Sequence, residues 1–116
     1  MMTIKAHNAV TFYGTMNTAH YFNDRSAREV VINKIGLGDV VDSYEVNKGH
    51  VNGAEIHQVT DTGIIVIFNK NSHKLVTKLI ARPQQIIRYY EECGQVVNYN
   101  LLVLAMEHEK MGYNNV

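Results

Sequence analysis

The sequence predicts an α+β fold, in which one antiparallel sheet lies between two helical sections of the chain. Three observations predict it: a helix-capping sequence, a series of turn-forming residues in the middle of the chain, and a proline that opens a later helical pattern. With 116 residues, the chain has the usual length of one domain. We therefore expect a single domain over 1–116, helical over 17–35, with an antiparallel sheet over 40–81 and helices over 83–112.

The first helical section contains a capping-box pattern. Ser26 is followed three residues later by Glu29, so that each side chain can accept a backbone N–H at the start of a helix. A helix is therefore predicted from the residue after Ser26, and the glycines of 36–39 end it. Residues 18–25 are predicted as a separate short helix. Residues 4–13 are ambiguous and compatible with a strand.

The middle section is predicted to be a meander of four strands joined by short turns. Asn52-Gly53 is its strongest hairpin signal, because both central residues of a type I′ turn need a positive φ, which these residues tolerate best. Further turns are expected at 61–63 and 69–72. The run 64–68 is apolar on both faces, so we expect it to be the central strand, covered on both sides.

The last section is predicted to contain two helices. Pro83 suits the first position of a helix that ends before Gly94. A second helix is predicted over 99–111, and residues 101–106 near its start are apolar all round. Such a segment is expected to be buried on more than one side, either beneath the sheet or in a contact between two copies of the chain.

The composition argues against several classes of protein. The formal net charge is zero, so no overall field attracts nucleic acid or a membrane. The single Cys93 excludes an internal disulfide and a cysteine-rich zinc site. No two histidines have the spacing of a local metal site, and we expect neither a metal nor a cofactor. No apolar run approaches the roughly 20 residues of a membrane span. A cytoplasmic, non-membrane protein is therefore expected.

Charge is unevenly distributed along the chain. Basic residues recur from 70 to 90, and no acidic residue occurs there. In a strand, the two-residue period places Lys74, Lys78 and Arg82 on one face. Three cations on one side of a strand are able to follow the phosphate backbone of a nucleic acid. The alternative is that lysines on an edge strand oppose aggregation.

The candidate acid–base residues are His20 and His57. On a helix, His20 and Asp24 are i,i+4 neighbours, so the carboxylate can orient the imidazole. The alternative is a surface helix with an incidental histidine. Arg25 lies about 140° from His20 around a straight helix, so the two meet only if the helix ends between them or the arginine reaches around. His57, in mid-strand, is compatible with a packed histidine as well as with a catalyst.

A short helix with a histidine and then an arginine, a second helix, a Gly-Asp turn and an antiparallel meander follow one another from His20 to Arg82. This arrangement resembles the RelE-like branch of the barnase–EndoU–colicin–RelE superfamily of small metal-independent ribonucleases. The resemblance implies that His20 and Arg25 are a helix-borne catalytic pair and that Thr77 is the Ser/Thr of the late strand. It also implies RNA as substrate and an antitoxin or a host protein as partner.

The mechanism implied by this resemblance is cleavage of RNA by its own 2′-hydroxyl, without a metal. In this hypothesis His20 is the base or acid, Asp24 orients it, and His57 is a second proton carrier. Cations hold the scissile phosphate and stabilise the charge of the transition state. The substrate-binding set is Lys74, Lys78 and Arg82, together with Arg25.

Two non-catalytic alternatives remain open. The segments 63–68 and 75–83 resemble small proteins of Gram-positive bacteria and their phages, which implies a mobile-element origin and no particular activity. One alternative is an interaction protein that forms a homodimer or a partner contact through the helix 99–111. The other is RNA or DNA binding through 70–90, with an affinity that falls steeply with salt. A nuclease, by contrast, is expected to gather its histidines and cations around one concave pocket.

Overall fold

The computed structural model describes residues 3–7, 26–49, 51 and 53–115, and it confirms the α+β class. Five strands form one antiparallel sheet in chain order. Their bounds are Thr3–Ala6 (β1), Val40–Asn47 (β2), Glu55–Thr60 (β3), Ile64–Asn69 (β4) and Leu75–Ile80 (β5). The strand beyond the four predicted is β1, which pairs with β2 from Thr3 opposite Asn47 to Ala6 opposite Tyr44. The ambiguous N-terminal segment thus contains a strand.

Three α-helices and a short 3-10 helix complete the described part of the chain. Their bounds are Ser26–Ile35 (α1), Pro83–Cys93 (α2), Tyr99–Lys110 (α3) and Tyr113–Asn115 (the 3-10 helix). As predicted, α2 begins at Pro83 and is followed by Gly94 in the left-handed conformation, with a φ of 63°. The short helix predicted over 18–25 lies outside the described residues. None of the described helices is long and apolar enough to cross a membrane.

The hairpin predicted at Asn52-Gly53 does join β2 to β3, but through a longer connection than a two-residue turn. The two strands pair antiparallel, with Val46 opposite Glu55, and residues 48–54 connect them. Gly53 has a φ of 89°, which a glycine adopts without steric cost. Asn47 begins the turn earlier than predicted, because its Oδ1 accepts the backbone N–H two residues later at 2.9 Å.

The strand β4 is buried on both faces, as its apolar run predicts. Ile65 and Ile67 belong to the core that α2 and α3 cover, on what we term the α2–α3 face. Ile64, Val66 and Phe68 belong to the core on the α1 face. However, β4 is not the central strand, because it is fourth of five and β3 occupies the centre. Helical cover on both sides, rather than a central position, therefore explains the burial.

Within the single chain, the core covers α3 along one stripe only, and a contact of its other side with a second copy stays a prediction. Leu101, Ala105 and His108 are its buried residues, and their spacing of four and three places them along one stripe. On the other side, Val103 and Met106 are 40% and 54% exposed. The core therefore covers only part of the apolar surface of this helix.

An apolar contact and a buried ion pair hold α1 to the sheet. Ile32 is 2% exposed and belongs to the α1-face core. Lys78 Nζ lies 2.8 Å from Glu29 Oε1, and the two side chains are only 4% and 19% exposed. Arg28 donates from Nη1 to Thr77 Oγ1 at 3.4 Å and to the carbonyl oxygen of Lys78 at 3.3 Å. Charged groups therefore join α1 to β5 where water is largely excluded.

Removal of Lys78 alone is expected to destabilise the fold strongly. In Lys78→Ala, the Glu29 carboxylate stays buried without its cation, which in buried pairs costs about 3–5 kcal/mol of the free energy of unfolding. The double variant Glu29→Leu/Lys78→Met removes both charges and keeps the side-chain volume, so it is expected to be less destabilised. Urea unfolding followed by circular dichroism measures both variants.

The matched control is Lys74→Ala, which removes an exposed lysine. It is expected to change the free energy of unfolding by less than about 0.5 kcal/mol. Equal unfolding midpoints for Lys78→Ala and Lys74→Ala would contradict the expected cost of leaving the Glu29 carboxylate buried without its cation.

His108 is expected to make the fold sensitive to mild acid. Its side chain is buried, and its Nδ1 has no hydrogen-bond partner in the described part of the chain. The ring lies against Gly63, where an added Cβ would be 3.3 Å from Cε1. Burial lowers the pKa of His108 below its usual value of 6.5. Because the folded state disfavours the protonated ring, stability is lost as the pH falls from about 6.5 through the lower pKa of the folded state.

The variant His108→Gln removes this titration, so its free energy of unfolding is expected to depend less on pH between about 6.5 and 5. Hydrogen bonds from Lys70 and His57 lower the pKa values of Glu45 and Glu55, respectively, below the usual 4.5. The stabilisation from these carboxylates is lost mainly below pH 4.5, outside that window. If the free energy of unfolding changed with pH equally in the variant and the wild-type chain above about pH 5, His108 would not be the source of the acid sensitivity.

Candidate functional site

The predicted catalytic residues fall into two groups. His20, Asp24 and Arg25 lie outside the described residues, so their convergence with other groups stays a prediction. His57 and Thr77 are described, and each of them pairs with Ile67 of β4. Since paired residues of neighbouring strands point to the same side of a sheet, both lie with Ile67 on the α2–α3 face. One strand separates them, which corresponds to about 10 Å between their Cα atoms.

The predicted face of three cations is not formed. Lys78 lies on the α1 face, where it is 3% exposed and paired with Glu29. A β-bulge at Val76 also interrupts the two-residue period of β5. Lys74 precedes the strand and is exposed. The bulge and the ion pair together remove Lys78 from any surface that it would share with Lys74.

Neighbouring elements engage Arg82 and Thr77. Arg82 donates from Nη2 to the carbonyl oxygen of Asn114 at 2.7 Å, and its backbone N–H donates to Gln85 Oε1 at 2.8 Å. It therefore joins the start of α2 to the C-terminal 3-10 helix. Thr77 Oγ1 accepts the hydrogen bond from Arg28. Both side chains thus have structural contacts, and Arg82 is nevertheless exposed.

A polar network on the α2–α3 face centres on His57. Its Nε2 lies 3.0 Å from Glu55 Oε1, and its Nδ1 lies 2.6 Å from the hydroxyl of Tyr89. The strand period places Glu55 and His57 on the same face. Lys48 Nζ approaches the same Glu55 oxygen at 3.5 Å. Tyr89 belongs to α2, and its ring stacks on that of Tyr44 with 4.6 Å between centroids. Side chains from β2, β3 and α2 therefore fix the imidazole.

The groups of this network have opposite proton preferences. The hydrogen bond from His57 lowers the pKa of Glu55, and Lys48 adds to this effect. Burial raises the pKa of Tyr89, and the charge of Glu55 raises it further. Glu55 is therefore a carboxylate and Tyr89 a neutral phenol, which requires a hydrogen on Nε2 of His57. In that tautomer, Nδ1 accepts the hydrogen bond that the Tyr89 hydroxyl donates.

This geometry limits what His57 can do chemically. Both of its ring nitrogens are engaged, and its side chain is 8% exposed. A substrate reaches the imidazole only after Tyr89 or Glu55 moves. In the arrangement described, the network therefore orients the imidazole, and proton transfer to a substrate would require one of these two partners to move.

Two cavities lie beside these elements. One encloses about 220 Å³ next to His57, and Lys48 and Arg88 contribute to its lining. The other encloses about 540 Å³ along α3, with Val41 of β2 on its wall. The register between β2 and β3 shifts at Val41, which is 39% exposed. A bulge therefore aims an apolar side chain at the second cavity.

The described residues contain no group of three or more His, Cys, Asp or Glu side chains that could hold a metal ion. Cys93 is half-buried, and burial together with the charge of Glu92 raises the pKa of its thiol. A higher pKa disfavours the thiolate, which is the nucleophilic form of cysteine. The surroundings of Cys93 therefore do not activate its thiol as a nucleophile.

Of the neighbours of the His57 imidazole, only Glu55 is indicated by a local pattern in the sequence. The two-residue spacing of Glu55 and His57 in a strand is a local signal. Tyr89 lies 32 residues beyond His57 and reaches it only through the packing of α2 on the sheet. Lys48, in a loop, and Arg88, on α2, line the cavity beside His57, and no spacing in the sequence indicates this.

No model of a known protein family, no curated protein and no solved structure matches this chain.

Proposed function

We propose that this chain is a non-catalytic interaction protein that pairs with a second copy of itself through α3. The observation that carries this proposal is the outward side of α3. Tyr99, Val103 and Met106 are 73%, 40% and 54% exposed, although their side chains are largely apolar. Large apolar side chains grouped on one exposed surface are typical of protein interfaces.

The spacing of these residues suits a second helix. Tyr99, Val103 and Met106 are separated by four and then three residues, which is the repeat of a seam between two helices. The row lies on the side of α3 opposite to Leu101 and Ala105, which are 3% and 0% exposed. A second helix therefore reaches the row without disturbing the core.

The cavity along α3 adds apolar surface beside this row. Its apolar lining consists of Val41, Tyr99, Leu101, Val103 and Leu104. Asp61 and Glu107 are its acidic lining residues. The bulge at Val41 contributes the wall that faces the helix. Side chains of a docked helix thus find a depression of about 540 Å³, instead of a flat surface.

The row is complementary to itself in an antiparallel arrangement centred on Val103. Tyr99 then lies opposite Met106 of the second copy, a contact between sulfur and an aromatic ring that is favourable in proteins. Glu107 lies near Tyr99 of the second copy, not near another carboxylate. A two-fold pair of this kind uses the same surface twice, as is usual for homodimers.

The wild-type chain is expected to form a dimer that dissociates in the micromolar range, because one short helix supplies most of the contact. The variant Val103→Glu places two carboxylates at the centre of the pair and is expected to raise the dissociation constant by at least about tenfold. Sedimentation equilibrium from about 10 µM to 1 mM measures both.

The matched control is Val30→Glu, which changes a valine of α1 that is 67% exposed and distant in sequence from α3. It is expected to leave the dissociation constant unchanged. A wild-type chain that stays monomeric over the whole range would refute the pairing, as would equal effects of the two substitutions.

The second candidate function is the metal-independent endoribonuclease predicted from the sequence. The hydrogen bond of 3.0 Å between Glu55 and His57 favours it, because a carboxylate partner orients an imidazole for proton transfer. Lys48 and Arg88 on the lining of the adjacent cavity add positive charge for a phosphate. The engagement of Thr77 and Lys78 by α1 speaks against it.

Incubation with labelled RNA in the presence of EDTA tests this candidate. A nuclease of this kind is expected to cut the RNA, and His57→Ala and His20→Ala are each expected to lower the rate by about 100-fold or more. His73→Ala changes an exposed histidine outside the network and serves as control. Circular dichroism verifies that each variant is folded. RNA that stays intact with the wild-type chain would eliminate the nuclease.

A further inference from the structure

The cavity beside His57 is framed by regular secondary structure. It encloses about 220 Å³ between the sheet and α2. Its apolar lining residues are Ile4, Val46, Ile67 and Leu79. Three of them are core residues that are 8%, 1% and 5% exposed, respectively. Close-packed core residues hold their positions, so the apolar floor exists before any ligand arrives.

Both charged side chains on the lining are cations. Arg88 is exposed on α2, and none of the ion pairs among the described residues includes it. Lys48 lies 3.5 Å from Glu55, farther than the roughly 2.7–2.9 Å of a charge-assisted hydrogen bond. The same Glu55 oxygen also accepts the hydrogen bond from His57. The positive charge at this rim is therefore only partly matched by the carboxylate nearby.

A neutral hydrogen-bond donor lies beside these cations. Gln85 lines the cavity, and its Oε1 accepts the backbone N–H of Arg82 at 2.8 Å. The donor end of this amide, Nε2, is thus the end that remains for a ligand. Tyr89 also lines the cavity, but its O–H is already donated to His57 Nδ1, so it offers no hydrogen to a ligand. The groups that remain to bind an anion above the apolar floor are therefore Lys48, Arg88 and the Gln85 amide.

We propose that this cavity binds a small organic carboxylate whose hydrocarbon part is the size of one ring. The carboxylate pairs with Arg88, whose guanidinium offers two parallel N–H groups, and with Lys48. The ring packs against Val46 and Leu79. An apolar cavity of about 150 Å³ takes up benzene, and a water occupies about 30 Å³ of the liquid. The 220 Å³ present here therefore accommodates a ring and two carboxylate oxygens.

Titration with sodium benzoate at constant ionic strength, followed by methyl NMR spectra, tests the proposal. Benzoate is expected to shift the methyl signals of Ile4, Val46, Ile67 and Leu79. Benzamide has the same ring without the charge and is expected to bind at least about tenfold more weakly. Acetate has the charge without the ring and is expected to leave these signals unshifted. Absence of any methyl shift with benzoate up to about 10 mM would overturn the proposal.

Two charge-removing variants locate the anion. Arg88→Gln is expected to raise the dissociation constant of benzoate at least about tenfold, whereas Lys74→Gln, at a surface lysine outside the cavity, is expected to leave it unchanged. The proposal would also be overturned if the two variants bound benzoate equally well, or if the wild-type chain bound benzoate and benzamide equally well. Val103→Glu, which tests the pairing through α3, is expected to bind benzoate like the wild-type chain, so the failure of one proposal does not imply the failure of the other.

Discussion

The two-sided burial of β4 is the constraint on which the rest of the structure depends. A strand that is apolar on both faces has to exclude water on both, so helices must cover each side of the sheet. The helix α1 provides one layer, and α2 with α3 provides the other. Full burial of one large apolar side chain contributes about 1.5–3 kcal/mol. Loss of either layer would therefore remove several such contributions at once.

Each helical layer also covers polar groups, which are closed off on the α1 face and border a cavity on the α2–α3 face. On the α1 face, the pair of Lys78 and Glu29 is closed, and Glu29 Oε2 has no partner in the described part of the chain. The attraction within such a pair offsets only part of the free energy lost when both charges leave water. The pair therefore contributes more to where α1 docks than to the stability of the fold. On the α2–α3 face, the network of His57 and Tyr89 borders a cavity. The same kind of buried contact thus fixes a helix on one side and frames a surface on the other.

Local signals in the sequence predicted most of the elements. A capping box, a proline at the first helical position and a glycine in the left-handed conformation act within a few residues, so they are readable without the fold. The extra residues at Val41 and Val76 are not readable in this way. One inserted residue reverses the facing of every later side chain in a strand, which is why Lys74 and Lys78 were assigned to one face.

The candidate site was only partly predictable for a related reason. The spacing of Glu55 and His57 identifies a pair on one strand, whereas the contact with Tyr89 depends on how α2 crosses the sheet. The exposed row of Tyr99, Val103 and Met106 on α3 was not predictable for a different reason. Residues 101–106 are apolar all round, so their periodicity does not indicate which side the core will cover.

The two outer strands of the sheet restrict how this protein can associate. The strand β1 has only four residues, and β5 has a bulge at Val76 and a carbonyl oxygen, that of Lys78, which Arg28 already binds. An incoming strand would have to displace Arg28 and follow an irregular backbone. Growth by β-augmentation, the route to fibrils, is therefore disfavoured at this border. The pairing proposed through α3 uses the same surface of both copies, so it would close at two chains and leave no apolar row for a third.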